Sequence, residues 1–237
     1  MTRVEPLVEH SGSPSGAFYD DGVVTIYHGD SREILADGLQ GGMPKAALVT
    51  DPPYGMAFRS GMGGAFGTSE IAGDEDPTLR DHILELWGDA PAIVFGRWSV
   101  PRPANARMVL TWEKGNHVGM GDLSLPWKPN TEEVYILGDG FAGHRGSSVL
   151  RHLAIAGTVG QAAKGTRRHP TEKPVSLMID LLLKCPKDWL IVDPFMGSGS
   201  TLRAAKDLGR RAIGIEIRGD YCQAAAERMC QEVLDVA

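Results

Sequence analysis

Two rhythms of apolar residues alternate along this chain, and together they predict its elements. Short apolar runs read as strands: AALVT at 46–50, AIVFG at 92–96, MVLTW at 108–112, EEVYIL at 132–137, LIVD at 190–193 and RAIGIE at 211–216. AFYDDGVVTIYH at 17–28 reads as two short strands around the turn pair Asp21-Gly22. Between them, apolar positions at helical spacing mark PTLRDHILELW at 77–87, EKPVSLMIDLLLK at 172–184 and TLRAAKDL, which stops at Gly209. GDSREIL at 29–35 reads as a turn into a helix, and a last helix is predicted over 219–235. Strands alternating with helices predict an α/β domain with a mostly parallel sheet covered on both faces.

Two stretches escape this pattern. Residues 56–75 are glycine-rich and offer little core material, as expected of a loop that closes over a site. Residues 138–168 are glycine-rich, basic and without clear periodicity. No boundary divides the 237 residues, so the whole chain 1–237 is expected to form one domain.

Composition narrows the class. Hydrophobic residues make up 42% and charged residues 23%, as in globular proteins, and no apolar run approaches the length of a membrane span. The first residues lack an apolar signal core, and three cysteines fit a reducing cytoplasm. No CxxC or His/Cys cluster points to a metal. The net charge of −6 argues against a protein that simply coats DNA, but the charge is uneven. Residues 141–173 carry six basic side chains (Arg145, Arg151, Lys164, Arg167, Arg168, Lys173) against Glu172 alone. Such a stretch is either a phosphate-contacting surface or a solvated loop.

Two motifs carry the chemistry. In VDPFMGSGST at 192–201, Val192 and Asp193 end a buried strand, and Gly197 and Gly199 turn the chain where a Cβ would collide with a ligand. Ser200 and Thr201 open a helix whose free N–H groups favour a carboxylate. A glycine loop with Glu216 ending the following strand also suits a dinucleotide enzyme, although the GxGxxG spacing is missing. In DPPYG at 51–55, Asp51 offers a carboxylate and Pro52 a carbonyl stiffened by Pro53. Tyr54 adds a stacking face, and Gly55 allows close backbone approach. Taken alone, that motif reads as a turn.

Together with HPTEKP at 169–174 and GDSRE at 29–33, the two motifs resemble the DNA amino-methyltransferase family, which methylates exocyclic amines of bases using S-adenosylmethionine. The resemblance covers 23–35, 51–55, 169–201 and 211–229 and implies a Rossmann-like methyltransferase fold with a seven-stranded sheet. It implies that Glu216 takes the cofactor's ribose hydroxyls and that Phe195, Gly197, Ser198, Gly199, Ser200, Thr201 and Asp193 form the cofactor loop. Thr171, Lys173 and Pro174 would lie near the methionine end, and Asp30 would accept from the adenine amino group. Each has a plainer reading: Asp30 as a helix cap, Phe195 as core packing, Lys173 as a solvated cation.

The catalytic motif precedes the cofactor loop, which resembles the permuted order of the β class, with 138–168 as a short target-recognition insertion. The compact length resembles solitary or phage-borne members. The resemblance also implies double-stranded DNA as partner and allows a homodimer. An amine conjugated to a base ring is a weak nucleophile. Acceptors at Asp51 and the Pro52 carbonyl would draw it toward pyramidal geometry and stabilise charge developing on it. The leading Asp is associated with adenine N6, a leading Ser with cytosine N4. The target base must leave the stack, and Phe58 and Arg59 in the 56–75 loop are placed to contact it or the neighbouring phosphate. Three other readings stay open: cytosine N4, a nicotinamide-dependent oxidoreductase, and an inactive DNA-binding relic.

Overall fold

The computed structural model describes residues 16–38, 45–53, 78–116, 123–155 and 172–231. The chain opens with the expected hairpin, β1 (Tyr19–Asp20) and β2 (Val24–His28), paired antiparallel. Its turn is held by Asp21, whose Oδ1 accepts the N–H groups of Val23 and Val24 at 3.0 and 2.7 Å. There follow α1 (Ser31–Gly38), β3 (Ala46–Thr50), α2 (Leu79–Trp87), β4 (Ala92–Gly96), β5 (Met108–Glu113) and β6 (Thr131–Leu137). Next come β7 (Val149–Arg151), α3 (Val175–Leu182), β8 (Leu190–Asp193), α4 (Ser200–Asp207), β9 (Ala212–Glu216) and α5 (Gly219–Met229).

The strands form one sheet in the order β1-β2-β9-β8-β3-β4-β6-β5-β7. The sheet is mixed: β1 and β6 run against the other strands. The seven-stranded sheet that the resemblance implies is extended to nine strands among the described residues by two short edge strands. Of these two, β1 belongs to the hairpin read from the sequence, and β7 lies in the stretch read as aperiodic. Three residues with no fully buried side chain leave no alternation to detect. The last helix is shorter than the expected 219–235. Among the described residues Met229 is the last whose side chain reaches the core, and Cys230 and Gln231 are exposed, so packing ceases to support the helix there.

Strands β3 and β4 are buried along their whole length because both faces are covered. Ala47, Val49, Ile93 and Phe95 join Leu177 and Met178 of α3, Leu202 of α4 and Cys222 of α5 in one apolar cluster. Leu48 and Val94, one residue out of step, join Leu35 of α1 and Ile83 of α2 in the other. No helix among the described residues is long and apolar enough to cross a membrane.

The chain order creates the site. From β8 the chain passes through α4 to β9 on one side, while from β3 it passes through α2 to β4 on the other. The two connections diverge, which opens a crevice at the carboxyl ends of β3 and β8, where such sheets bind ligands. At the opposite end of β4, Gly138 leaves β6 with φ +68, and a Cβ there would lie 2.9 Å from the backbone of Asp89 and Ala90. Gly138→Ala is therefore expected to destabilise the protein by roughly 1–3 kcal/mol. The test is a urea titration, in which the midpoint should fall with an unchanged slope.

Candidate active site

The crevice is lined by residues that leave four neighbouring strands at the same edge of the sheet: Asp30 after β2, Asp51 after β3, Asp193 ending β8 and Glu216 ending β9. The Thr50 hydroxyl donates to Asp193 Oδ1 at 2.7 Å, joining the two motifs across 143 positions of sequence. Asp193 Oδ1 also accepts the N–H of Phe195 at 3.2 Å. Burial pushes the Asp193 carboxyl up to about 6, against hydrogen bonds from Thr201, Thr50 and Phe195, with the nearby charge of Asp51 adding to the rise. Asp193 thus anchors the fold of the crevice rather than offering itself to a ligand.

On one side of the crevice Glu216 is the organising group. Its Oε1 accepts the N–H of Arg218 at 2.8 Å and its Oε2 the N–H of Gly197 at 3.1 Å, which fixes the glycine loop against the end of β9. Burial raises the Glu216 carboxyl, against those two hydrogen bonds. Helix α4 starts directly after Gly199 with no side-chain cap on its first N–H groups, a setting that suits an anionic ligand. The need for glycine at 199 differs from expectation. Its φ is +80, and a Cβ would meet Ala225 Cβ of α5 at 3.0 Å, so helix packing and backbone conformation both demand it. Asp30 makes a helix-cap contact: its Oδ1 accepts the N–H of Arg32 at 2.8 Å at the start of α1, and its Oδ2 accepts from the Arg32 guanidinium. Phe195 is half-buried against the α1–α2 cluster.

On the other side lies a row of charges, partly buried around the buried Lys173. Lys173, read from sequence either as a cofactor neighbour or as a solvated cation, is buried and donates to Asp51 Oδ2. Its Nζ also lies 3.2 Å from Glu132 Oε2, and the other Glu132 oxygen is 2.5 Å from Lys114. The ammonium stands over the rings of Phe95 and Trp112, 4.9 and 5.8 Å from their centroids. Burial alone would lower Lys173, but Asp51 and Glu132 outweigh it and hold it above the usual lysine value. Burial alone would raise Glu132, but Lys173 and Lys114 hold it below the usual range. Pro52 is buried beside Asp51, and Pro53 half-buried. Tyr54, Phe58, Arg59 and the 56–75 loop lie outside the described residues.

A second buried ion pair ties the two sides together. Arg228 of α5 pairs with Glu172 and donates to the Ser198 carbonyl at 3.1 Å and the Ser200 hydroxyl at 3.0 Å. Ser198 and Ser200 therefore tie the loop to α5, Thr201 bonds Asp193, and Pro174 caps α3 with its carbonyl, which accepts from Leu177 and Met178. Thr171 lies outside the described residues. Sequence reasoning missed Thr50, Lys114, Glu132, Glu172 and Arg228. For Glu132 the strand period held a signal: Glu132 shares the α3 face of β6 with Val134, whereas Glu133 faces Arg102 and Tyr135.

Of the basic stretch, Arg145 is exposed and Arg151 on the edge strand β7 pairs with Glu113 at 3.1 Å. Lys164, Arg167 and Arg168 lie outside the described residues.

Residues 155–227 match the N6/N4 methyltransferase family model, described as DNA methylase. The chain is 29% identical to YubD of Escherichia coli (strain K12), named as a methylase, over 77% of this chain and 80% of that protein. It is 26% identical to the type II methyltransferase M.ScaI of Streptomyces caespitosus, over 96% of this chain and 87% of the other. Among solved structures, the M1.HpyAVI–SAM complex is similar with a TM-score of 0.62 at 23% identity, covering 88% of this chain and all of the other. The cytosine-N4-specific PvuII DNA methyltransferase is similar with a TM-score of 0.64 at 17% identity, covering 89% and 87%. These neighbours share the Rossmann-like methyltransferase fold with the sheet described above. Two motifs similar to that family's meet at one crevice on that fold, and these matches support a DNA amino-methyltransferase family member.

Proposed function

We propose that the protein transfers a methyl group from S-adenosylmethionine to the N6 amino group of adenine in DNA. The observation that carries this reading is the Thr50–Asp193 hydrogen bond, because it sets the catalytic and cofactor motifs side by side at a single crevice. The cofactor supplies an already activated methyl group, so the protein has to position and polarise the amine. Glu216 and the uncapped start of α4 suit the polar ends of such a cofactor: a carboxylate for ribose hydroxyls, and free N–H groups for the methionine carboxylate. Asp51, with one oxygen held by Lys173, is the acceptor aimed at the amine N–H, and Pro52 adds its carbonyl. The neutral amine needs no deprotonation before attack. A strong general base is unnecessary, and a carboxylate kept ionised by an ammonium serves as acceptor.

The adenine assignment rests on the Asp that opens DPPY, and the cytosine-N4 specificity of one structural neighbour makes that base the alternative product. DNA incubated with the protein and labelled S-adenosylmethionine, digested to nucleosides and separated by mass, should contain N6-methyladenine. N4-methylcytosine would replace the adenine assignment, and absence of label from DNA would end the reading altogether. Asp51→Ala should lower the single-turnover methylation rate by about 10²–10³-fold or more, with S-adenosylhomocysteine affinity nearly unchanged by calorimetry. Loss of both together would remove Asp51 from the acceptor role. Glu216→Gln should act the other way, weakening S-adenosylhomocysteine binding by roughly 10-fold or more through loss of a charged acceptor.

A further inference from the structure

A lysine taken out of water must be matched by negative charge, and Lys173 is matched twice. Its ammonium contacts Asp51 from the end of β3 and Glu132 from the start of β6, and Glu132 is shared in turn with Lys114 after β5. The row Asp51–Lys173–Glu132–Lys114 holds two carboxylates and two ammoniums and is balanced. The rings of Phe95 and Trp112 stand beside Lys173 and bear no formal charge. The charge of Asp51 also acts on Asp193 on β8, which accepts the neutral hydroxyl of Thr50.

We propose that Lys173 and Glu132 are positioning residues that set the charge and aim of Asp51 from behind. This rests on Asp51 being the acceptor for the amine. Lys173 holds one carboxylate oxygen in place and favours the ionised form. Glu132 draws part of the lysine's field away, so that Asp51 still attracts the positive charge that reaches the amine during transfer. A lysine bound to Asp51 alone would weaken that attraction. A site with no lysine would leave two neighbouring carboxylates that compete for a proton.

The two substitutions therefore have different signatures. Lys173→Met should lower the single-turnover rate and give the pH profile an acid limb that the wild type lacks, because Asp51 loses the ammonium that favours its ionised form. Glu132→Gln should lower the rate by roughly 10-fold with no such limb, because the positive charge beside Asp51 persists. Lys173→Arg should remove the limb produced by Lys173→Met. S-adenosylhomocysteine affinity and melting temperature, measured on each variant, separate this from misfolding. A Lys173→Met profile as flat as the wild type would overturn the proposal. So would cofactor affinity falling in step with rate, since Lys173 would then be a cofactor ligand. If Lys173→Met does not fold, an unchanged rate in Glu132→Gln overturns it alone. Wild-type protein that places no methyl on DNA would instead defeat the methyltransferase reading on which the proposal stands.

Discussion

Carboxylates gathered at a strand end repel one another and resist burial, and the architecture of this crevice is the answer to that constraint. Asp51, Asp193 and Glu216 approach one edge of the sheet because β3, β8 and β9 are neighbours and parallel. Each is stabilised differently. Asp193 is held by hydroxyl and amide donors, Glu216 by two backbone N–H groups, and Asp51 by an ammonium. The division follows their surroundings. Asp193 and Glu216 are satisfied by short-range donors, and Asp51 is given a charge partner.

Lys173 and its neighbour in sequence, Glu172, look in opposite directions. Glu172 pairs with Arg228, which also grips the carbonyl of Ser198 and the hydroxyl of Ser200. Lys173 grips Asp51. Two consecutive residues thus connect the glycine loop to the DPP segment through buried ion pairs. Breaking such a pair leaves an uncompensated charge inside the protein, so neither side of the crevice can shift cheaply without the other.

Much of this was legible in the sequence, and the remainder was hidden for definite reasons. The seven principal strands and five helices declare themselves by period, because strands buried on both faces read as unbroken apolar runs. The meeting of DPP with DPFMGSGST followed from motif resemblance. What period could not reveal was pairing. The period of EEVYIL puts Glu132 and Glu133 on opposite faces, but does not say which face meets Lys173 and Lys114 and which meets Arg102. Thr50 reads as one more β-branched strand residue, and Arg228 as a polar position in a helix, yet both are buried and bonded. Gly199 was correctly singled out but for a different cause: a neighbouring helix, not a ligand, fills the space where its Cβ would be.

The two ends of the sheet carry a consequence for behaviour in solution. Its centre is apolar through and through, and an open border beside such a centre invites other chains to zip on and precipitate. Here the terminal ribbons are two and three residues long, and the Glu113–Arg151 pair sits on the outermost rung of one of them. So short a row of unpaired amides gives an incoming strand too little to grip.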